Sequence, residues 1–325
     1  MQPLYLLESG FLGRSQNTLT FENATVNRKF PIKAIDSIYL LGEVSLNTKL
    51  LNYLAKEQIP VFFFGYYGNF TGVFYPHKKN DVSGKVLVKQ VEHYLDNTKR
   101  LIIAEEIIDG SLHNMRKTLM QYGLKREAER IKDFRETLYN VKDITHLLST
   151  EANARKYYYQ QLNLIIKDVA YHFSIRTKQP PMDYINCLIS FGNSLLYNTT
   201  LSEIYKTKLE PLISFLHEPF DNRYSLQLDI TEIFKPLIVD RVIFTLINKR
   251  IIDNSCFEKS EKGCYLNRKG REKFIREYDS KLQQSLDYPN LDRKVSYRYL
   301  LRLECYNLIS HLIEDKRYKS FKIYW

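Results

Sequence analysis

The sequence predicts an α+β protein in which a small N-terminal β-rich domain precedes a larger all-α domain. Short apolar runs separated by turn residues occupy the first part of the chain, as in small sheets. Beyond residue 85, apolar residues recur at the spacing of three or four that is typical of helices. The length of 325 residues suits two domains. We therefore predict a β-domain over 1–76, a linker over 77–84 and a helical domain over 85–325.

Within the β-domain, short runs of β-branched and aromatic residues predict strands around residues 4–7, 18–21, 37–41, 60–64 and 70–75. One helix interrupts them, with Ser45 as its N-cap and leucines at helical spacing after it. The aromatic residues near the end of the domain are more than one small sheet readily hides. They are Phe62, Phe63, Phe64, Tyr66, Tyr67 and Phe70.

A polar segment around residues 76–81 predicts the linker, and helical patterns follow it. The first covers 86–108 and is predicted to end at Gly110. Further patterns cover 111–122, 124–139 and 150–174. No internal repeat interrupts this series.

The chain has a formal net charge of +11, and the charge is uneven. Residues 241–325 contain 19 Lys or Arg against 11 Asp or Glu, a surplus of +8. The chain also has 25 tyrosines, and aromatic rings interleaved with cations suit a surface that meets phosphates and bases. A merely solvated basic face is the alternative, but the asymmetry favours a nucleic-acid partner.

No apolar stretch approaches the length of a membrane span, and the N-terminus lacks the pattern of a signal peptide. The four cysteines are scattered, without a CxxC pair, as is typical of reduced thiols in a cytoplasmic protein. We therefore expect a cytoplasmic protein that does not bind membranes.

The most informative stretch is 211–241. Asp229 and Glu232 are three residues apart and would share one face of a helix, while a turn at 218–222 would return His217 towards that face. An imidazole and two carboxylates form a site for a divalent metal, although such triplets also arise by chance. Unpaired carboxylates are costly to bury in a run this apolar. Pro236 should also kink the helix beside them.

A second acid, Glu151, follows Ser149 and Thr150, either of which could cap a helix. A glutamate in a first helical turn ordinarily stabilises the helix dipole. The small side chains of Ala152 and Ala154 would allow close approach to that end. Glu151 could therefore supply a third carboxylate to the site at His217.

Several motifs together resemble the CRISPR-associated integrase and endonuclease of spacer acquisition, and the resemblance covers nearly the whole chain. Those near the proposed site are Glu151-Ala-x-Ala-x-x-Tyr157, Phe215-Leu216-His217 and Leu228-Asp229-x-x-Glu232-x-Phe234-x-Pro236-x-x-x-Asp240-Arg241. Those elsewhere are Gly10-x-Leu12-x-Arg14, Asn17-Thr18-Leu19, Asn186, Phe191-Gly192, Leu195-Leu196-Tyr197 and Tyr265-Leu266-x-x-x-Gly270-Arg271. The sequence departs from the family pattern at Asn153 and Phe191, neither of which is a proposed ligand.

The resemblance implies a metal-dependent enzyme that inserts short DNA segments into a CRISPR array by transesterification. It implies a homodimer through the β-domain, a small ferredoxin-like partner, and double-stranded DNA as prespacer and repeat. The family's functional residues map onto Glu151, His217, Asp229 and Glu232. We assign Glu151, His217 and Glu232 as ligands of Mg²⁺ or Mn²⁺, and the imidazole favours Mn²⁺. Asp229 is either a fourth ligand or the acceptor that orients His217.

Four cations are candidates for DNA contact: Arg241, Arg268, Lys269 and Arg271. For Arg241, an ion pair with the neighbouring Asp240 is the stronger expectation. Two other functions remain open: a non-catalytic DNA-binding scaffold, and a metal-dependent nuclease that acts on RNA or branched DNA without integration.

Overall fold

The structure is a computed structural model that describes residues 2–77, 83–219, 224–288, 291–314 and 316–324. It divides the chain into two compact units, Met1–Val82 and Ser83–Trp325. The division falls within the predicted linker of 77–84, most of which lies outside the described residues.

Over its described residues, 2–77, the first unit contains two four-stranded sheets. Its elements are β1 (Gln2–Leu6), β2 (Gly10–Ser15), β3 (Thr18–Glu22), β4 (Asn27–Pro31), β5 (Ile35–Leu40), β6 (Val44–Ser45), α1 (Thr48–Lys56), β7 (Val61–Phe64) and β8 (Phe70–Phe74). One sheet has the order β1-β5-β7-β8, with β1, β5 and β7 parallel and β8 antiparallel to β7. The other has the order β4-β3-β2-β6. The predicted strands are all present.

Helix α1 begins later than predicted. Its N-cap is Asn47, whose side chain accepts a hydrogen bond from the Leu50 backbone N–H at 2.9 Å, while Ser45 lies in β6. Part of the aromatic cluster is hidden, because Phe62 is fully buried and stacks on Tyr39. The exposed rings are those of the β7–β8 turn, Tyr66 and Tyr67.

The second unit is mostly helical, which confirms the predicted fold class. Its helices are α2 (Gly84–Leu95), α3 (Asn97–Gln121), α4 (Lys125–Glu136), α5 (Ile144–Ile165), α6 (Tyr184–Tyr205), α7 (Ser225–Phe234), α8 (Val239–Asn248), α9 (Arg268–Gln283) and α10 (Tyr297–Glu314). The described part of this unit also contains two antiparallel strand pairs that the helical periodicity did not predict. Their strands are β9 (Phe257–Ser260), β10 (Gly263–Leu266), β11 (Ser285–Tyr288) and β12 (Leu291–Ser296).

The predicted helix over 86–108 is in fact parts of two helices. Asp96 ends α2 and caps α3, because its carboxylate accepts from the backbone N–H groups of Thr98 and Lys99 at 2.9 and 3.1 Å. Gly110 does not end a helix but lies inside α3. A side chain there would collide with Ser320 of the C-terminal segment, so this glycine permits a close approach.

Two further differences affect the proposed site. Helix α5 begins at Ile144 with Asp143 as its N-cap, so Glu151 lies in the helix interior and the helix-dipole interpretation is wrong. Pro236 does more than kink a helix, because α7 ends at Phe234 and α8 begins at Val239. The proline therefore separates two helices.

Helix α7 is buried along its entire length. It packs against α3, where the Asn114 side-chain amide donates to the Ile233 carbonyl at 2.9 Å. Among the described residues no helix is long and apolar enough to cross a membrane. The four cysteines are buried and free.

Candidate active site

Asp229 and Glu232 lie on α7, as predicted, and both are buried. Glu151 lies on α5, and His217 lies on the segment that leads into α7. Part of the turn expected at 218–222 falls outside the described residues. All four residues belong to the second unit.

The Asp229 carboxylate holds the segment that contains His217. Its Oδ2 accepts hydrogen bonds from the backbone N–H groups of Phe215 and Leu216 at 2.6 and 2.9 Å. Its Oδ1 accepts from the backbone N–H of His217 at 3.0 Å and lies 2.8 Å from His217 Nδ1. With four donors on one fully buried carboxylate, Asp229 fixes both the backbone and the ring orientation of His217.

This contact also sets the charge preference of His217. Burial opposes a charge on the imidazole. The hydrogen bond that Nδ1 donates to Asp229 and the negative charge of Asp229 outweigh this effect, so the pKa of His217 is raised above its ordinary value. Because Nδ1 faces Asp229, the Nε2 atom is left to meet a ligand, and it has no hydrogen-bond partner within the described part of the chain.

Glu232 is held by cations instead of backbone groups. Its Oε1 accepts a hydrogen bond from Lys235 Nζ, and its Oε2 accepts one from the Arg155 guanidinium. Burial favours the neutral acid, but the charges of Lys235 and then Arg155 lower the pKa of Glu232 to about 2. Glu232 is therefore a buried carboxylate that is ionised at neutral pH.

Arg155 brings Glu151 and Glu232 together. Its Nε donates to Glu151 Oε1 at 2.8 Å, while its Nη2 donates to Glu232 and also to Ser111 Oγ at 3.2 Å. Ser111 in turn donates to the Glu232 backbone carbonyl at 2.8 Å. Two carboxylates from different helices thus converge on one guanidinium.

The four predicted residues do not all point at one vacant position. Within the described residues no group of three or more His, Cys, Asp or Glu side chains is arranged to hold a metal ion. Glu151 and Glu232 are brought together but bind Arg155, and Asp229 is occupied by the segment of His217.

The sequence interpretation missed Arg155, Lys235 and Ser111. A signal for two of them was present, because Arg155 is four residues after Glu151 and Lys235 is three residues after Glu232. Such spacings usually indicate exposed ion pairs on a helix surface. Their burial depends on the packing of α3, α5 and α7, which no local pattern reveals.

The expected ion pair between Asp240 and Arg241 does not form. Neither oxygen of the buried Asp240 carboxylate has a hydrogen-bond partner in the described structure. Burial raises the pKa of Asp240 to about 6, against the effect of nearby positive charges, of which Arg155 is the largest contributor. Arg241 instead donates to Gln121 and lies over the Tyr122 ring at 5.2 Å.

The other candidate DNA-binding residues lie at the start of α9. Arg268 pairs with Glu272 at 3.0 Å, and Lys269 donates to Ser255 Oγ at 2.8 Å. Arg271 donates to the Leu266 carbonyl at 2.9 Å. Arg268 and Lys269 are exposed, so phosphate contact would require only the exchange of surface partners.

Known proteins share both the sequence and the fold. A family model described as CRISPR associated protein Cas1 matches residues 4–280. The chain is 45% identical over 326 residues to a CRISPR-associated endonuclease Cas1 from Clostridium perfringens, covering 99% of this chain and 98% of the relative.

The solved structure of a Cas1 protein from Thermotoga maritima matches with a TM-score of 0.91 and 36% identity, over 99% of this chain and 100% of that one. A chain of a Cas6-RT-Cas1–Cas2 complex matches with a TM-score of 0.85 over all of this chain and 36% of its own length. At 19% identity the latter shows the fold alone. By its sequence and its fold, the chain belongs to the CRISPR-associated Cas1 family.

Proposed function

We propose that this protein is a metal-dependent DNA endonuclease and integrase that inserts short DNA segments into a CRISPR array by transesterification of phosphodiester bonds. One observation supports it most: Glu151 and Glu232, from separate helices, meet at a single cation, while Asp229 orients His217 in the same cluster. The relative from Clostridium perfringens bears the name of an endonuclease.

The donor set of this cluster suits a divalent metal. It offers two carboxylates and one imidazole nitrogen, the mixture preferred by Mn²⁺ and compatible with Mg²⁺. The space between the carboxylates is taken by Arg155, so the same negative charge that attracts a guanidinium is available to a metal once the arginine moves. We propose Glu151, His217 and Glu232 as the ligands.

When bound, the metal would lower the pKa of an attacking hydroxyl and offset charge on the scissile phosphate. The remaining contributions come from the protein itself. Asp229 keeps His217 in one orientation, and Ser111 holds the backbone carbonyl of Glu232. Lys235 would add positive charge near the reacting phosphate, where charge stabilisation and positioning supply most of the rate enhancement.

Integration and hydrolysis differ only in the attacking group. In strand transfer, a DNA 3′-oxygen attacks phosphorus, a new phosphodiester forms, and the 3′-oxygen of the target strand leaves and takes up the proton. In hydrolysis, water attacks and no new DNA junction forms.

To test this, the protein is incubated with a labelled short duplex and a repeat-containing plasmid in Mn²⁺ buffer. Duplexes with a 3′-hydroxyl should become joined to the plasmid, whereas matched duplexes with 3′-dideoxy ends should not. Cleavage without joining from either duplex indicates a nuclease without an integration role. Binding with neither product indicates a scaffold.

We also propose a homodimer that works in the cytoplasm with a small ferredoxin-like partner on double-stranded DNA. The matching chain of the Cas6-RT-Cas1–Cas2 complex supports the partner. The exposed Tyr66 and Tyr67 rings support an interface on the first unit, because exposed aromatic pairs commonly mark such surfaces. Light scattering on the whole chain should give a dimer, and Tyr66→Asp with Tyr67→Asp should weaken it. A monomeric wild-type protein would contradict this proposal.

A further inference from the structure

The cluster around Arg155 contains an imbalance that the proposed chemistry does not explain. The guanidinium is buried and satisfied on one side, where Nε and Nη2 reach Glu151, Glu232 and Ser111. Its Nη1 atom is also buried but has no hydrogen-bond partner within the described structure. An unsatisfied buried donor on a charged group is costly, and such an atom calls for an explanation.

Asp240, whose pKa is affected by the charge of Arg155, shows a matching imbalance. Asp240 is 1% exposed, and both of its carboxylate oxygens lack a hydrogen-bond partner in the described part of the chain. The Tyr158 hydroxyl lies nearby without completing a hydrogen bond. Of the positive charges that lower the pKa of Asp240, that of Arg155 has the largest effect, ahead of Lys235 and Arg176. A buried donor on Arg155 and a buried acceptor on Asp240 thus both lack a hydrogen-bond partner in the described structure.

We propose that Arg155 is a displaceable internal cation: it bridges Glu151 and Glu232 in the metal-free protein and turns to Asp240 when a divalent metal takes its place. This inference rests on the proposed metal site. In the first position the guanidinium neutralises two carboxylates that would otherwise repel each other. In the second it would pair the unused atoms of Asp240 and keep its charge inside the protein. Asp240 is then a positioning residue, not a ligand.

In this arrangement Arg155 competes with the metal for the carboxylates. Asp240 favours metal binding, because it accepts the displaced guanidinium. Removing the arginine should strengthen metal binding, because the metal no longer has to displace a guanidinium. Removing the Asp240 charge should weaken metal binding, because the displaced guanidinium loses its second partner. This second effect should vanish when Arg155 is absent, which is the mark of a coupled pair.

The experiment measures Mn²⁺ uptake by the full chain without DNA, from the electron paramagnetic resonance signal of free Mn²⁺ at fixed pH and ionic strength. Arg155→Gln should lower the Kd for Mn²⁺ by about ten-fold, the equivalent of one charge-assisted hydrogen bond. Arg155→Lys, which keeps a charge but loses the two-sided fork, should give an intermediate Kd. Asp240→Asn should raise the Kd several-fold, but by no more than about two-fold in the Arg155→Gln background.

A matched control removes another arginine that pairs with a buried glutamate, outside the proposed metal site. Arg302 pairs with the buried Glu203, which keeps Arg298 and Lys206 as partners, so Arg302→Gln should fold and leave the Kd unchanged. Circular dichroism verifies folding of every variant.

An Arg155→Gln protein with unchanged or weaker Mn²⁺ binding overturns the inference while leaving the metal site intact. An equal effect of Asp240→Asn with and without Arg155 overturns the role of Asp240. Absence of saturable Mn²⁺ uptake in wild type and in all variants contradicts the proposed metal-dependent function itself.

Discussion

Asp229 and Glu232 lie three residues apart on one buried helix, yet their carboxylates are held in opposite ways. Asp229 accepts three backbone N–H groups and the His217 ring, all from the single segment 215–217. Glu232 accepts from two cationic side chains, Arg155 and Lys235. Backbone donors are fixed by the fold, whereas a side-chain cation can rotate away.

This difference in hydrogen-bond partners distinguishes a carboxylate that orients a neighbour from one that binds a metal. The residue types alone do not make that distinction. A carboxylate whose lone pairs are occupied by backbone donors can orient a neighbour but has little capacity left for a metal. A carboxylate that is paired with side-chain cations can exchange them for a metal ion. We therefore interpret Asp229 as the residue that orients His217, and Glu232 as a ligand.

The largest effect should come from replacing the proposed metal ligands. Glu151→Gln, Glu232→Gln and His217→Ala should each lower DNA cleavage and strand transfer on the order of 10³-fold or more, because metal catalysis supplies several kcal/mol. Rates with labelled DNA in Mn²⁺ measure the loss. The control is Glu129→Gln, an exposed glutamate on α4 that should keep full activity. Wild-type rates in any one of the three variants would remove that residue from the proposed site.

Activity should be less sensitive to replacement of Asp229, which is held by backbone donors. Asp229→Asn keeps the shape of the side chain but replaces one acceptor oxygen by a donor, so the His217 segment is held less firmly. Loss of such a supporting contact typically lowers activity by about 10–100-fold. The same assay measures it, with thermal melting to detect the accompanying loss of stability. A loss as complete as that of Glu232→Gln would mean that Asp229 itself binds the metal.

A smaller effect on DNA binding should come from the cations at the start of α9. Charge reversal of Arg268, Lys269 and Arg271 should weaken DNA binding and make it less dependent on salt, since each lost phosphate contact reduces the slope by about 0.9 on B-DNA. Fluorescence anisotropy across a salt series measures the slope. The control is Lys132→Glu, a half-exposed lysine on α4. An unchanged slope in the α9 variant would show that these cations only solvate the surface.

The smallest effect should be the pH dependence of stability. The pKa of His217 is raised in the folded protein because Asp229 stabilises its charge more than burial opposes it. This contribution to stability is therefore fully present below the unfolded pKa of about 6.5 and is lost as pH rises through the folded pKa. Denaturant unfolding of metal-free protein should show stability falling modestly as pH rises through that range. His217→Gln should lack this component, and a wild-type slope in that variant would exclude His217 as its origin.

The sequence was sufficient to predict the fold class and the placement of Asp229 and Glu232 on one helix, since both follow from periodicity and spacing. The four hydrogen bonds of Asp229 could not be predicted, because they depend on how segment 215–217 returns over α7. The role of Arg155 could not be predicted either. Its helical spacing from Glu151 indicates a local ion pair and not a bridge to Glu232. The helix boundaries were misplaced where a cap such as Asp96 interrupts a continuous apolar pattern.

The most direct test of the distinction between Asp229 and Glu232 is a Mn²⁺ titration of Asp229→Asn and Glu232→Gln beside the wild type. Calorimetry on the folded, metal-free proteins should show saturable binding by Asp229→Asn, weakened by about 10–100-fold as expected for loss of an orienting contact. Glu232→Gln should show no saturable binding. Retention of wild-type Mn²⁺ affinity by Glu232→Gln, with complete loss in Asp229→Asn, would contradict the assignment of the two carboxylates.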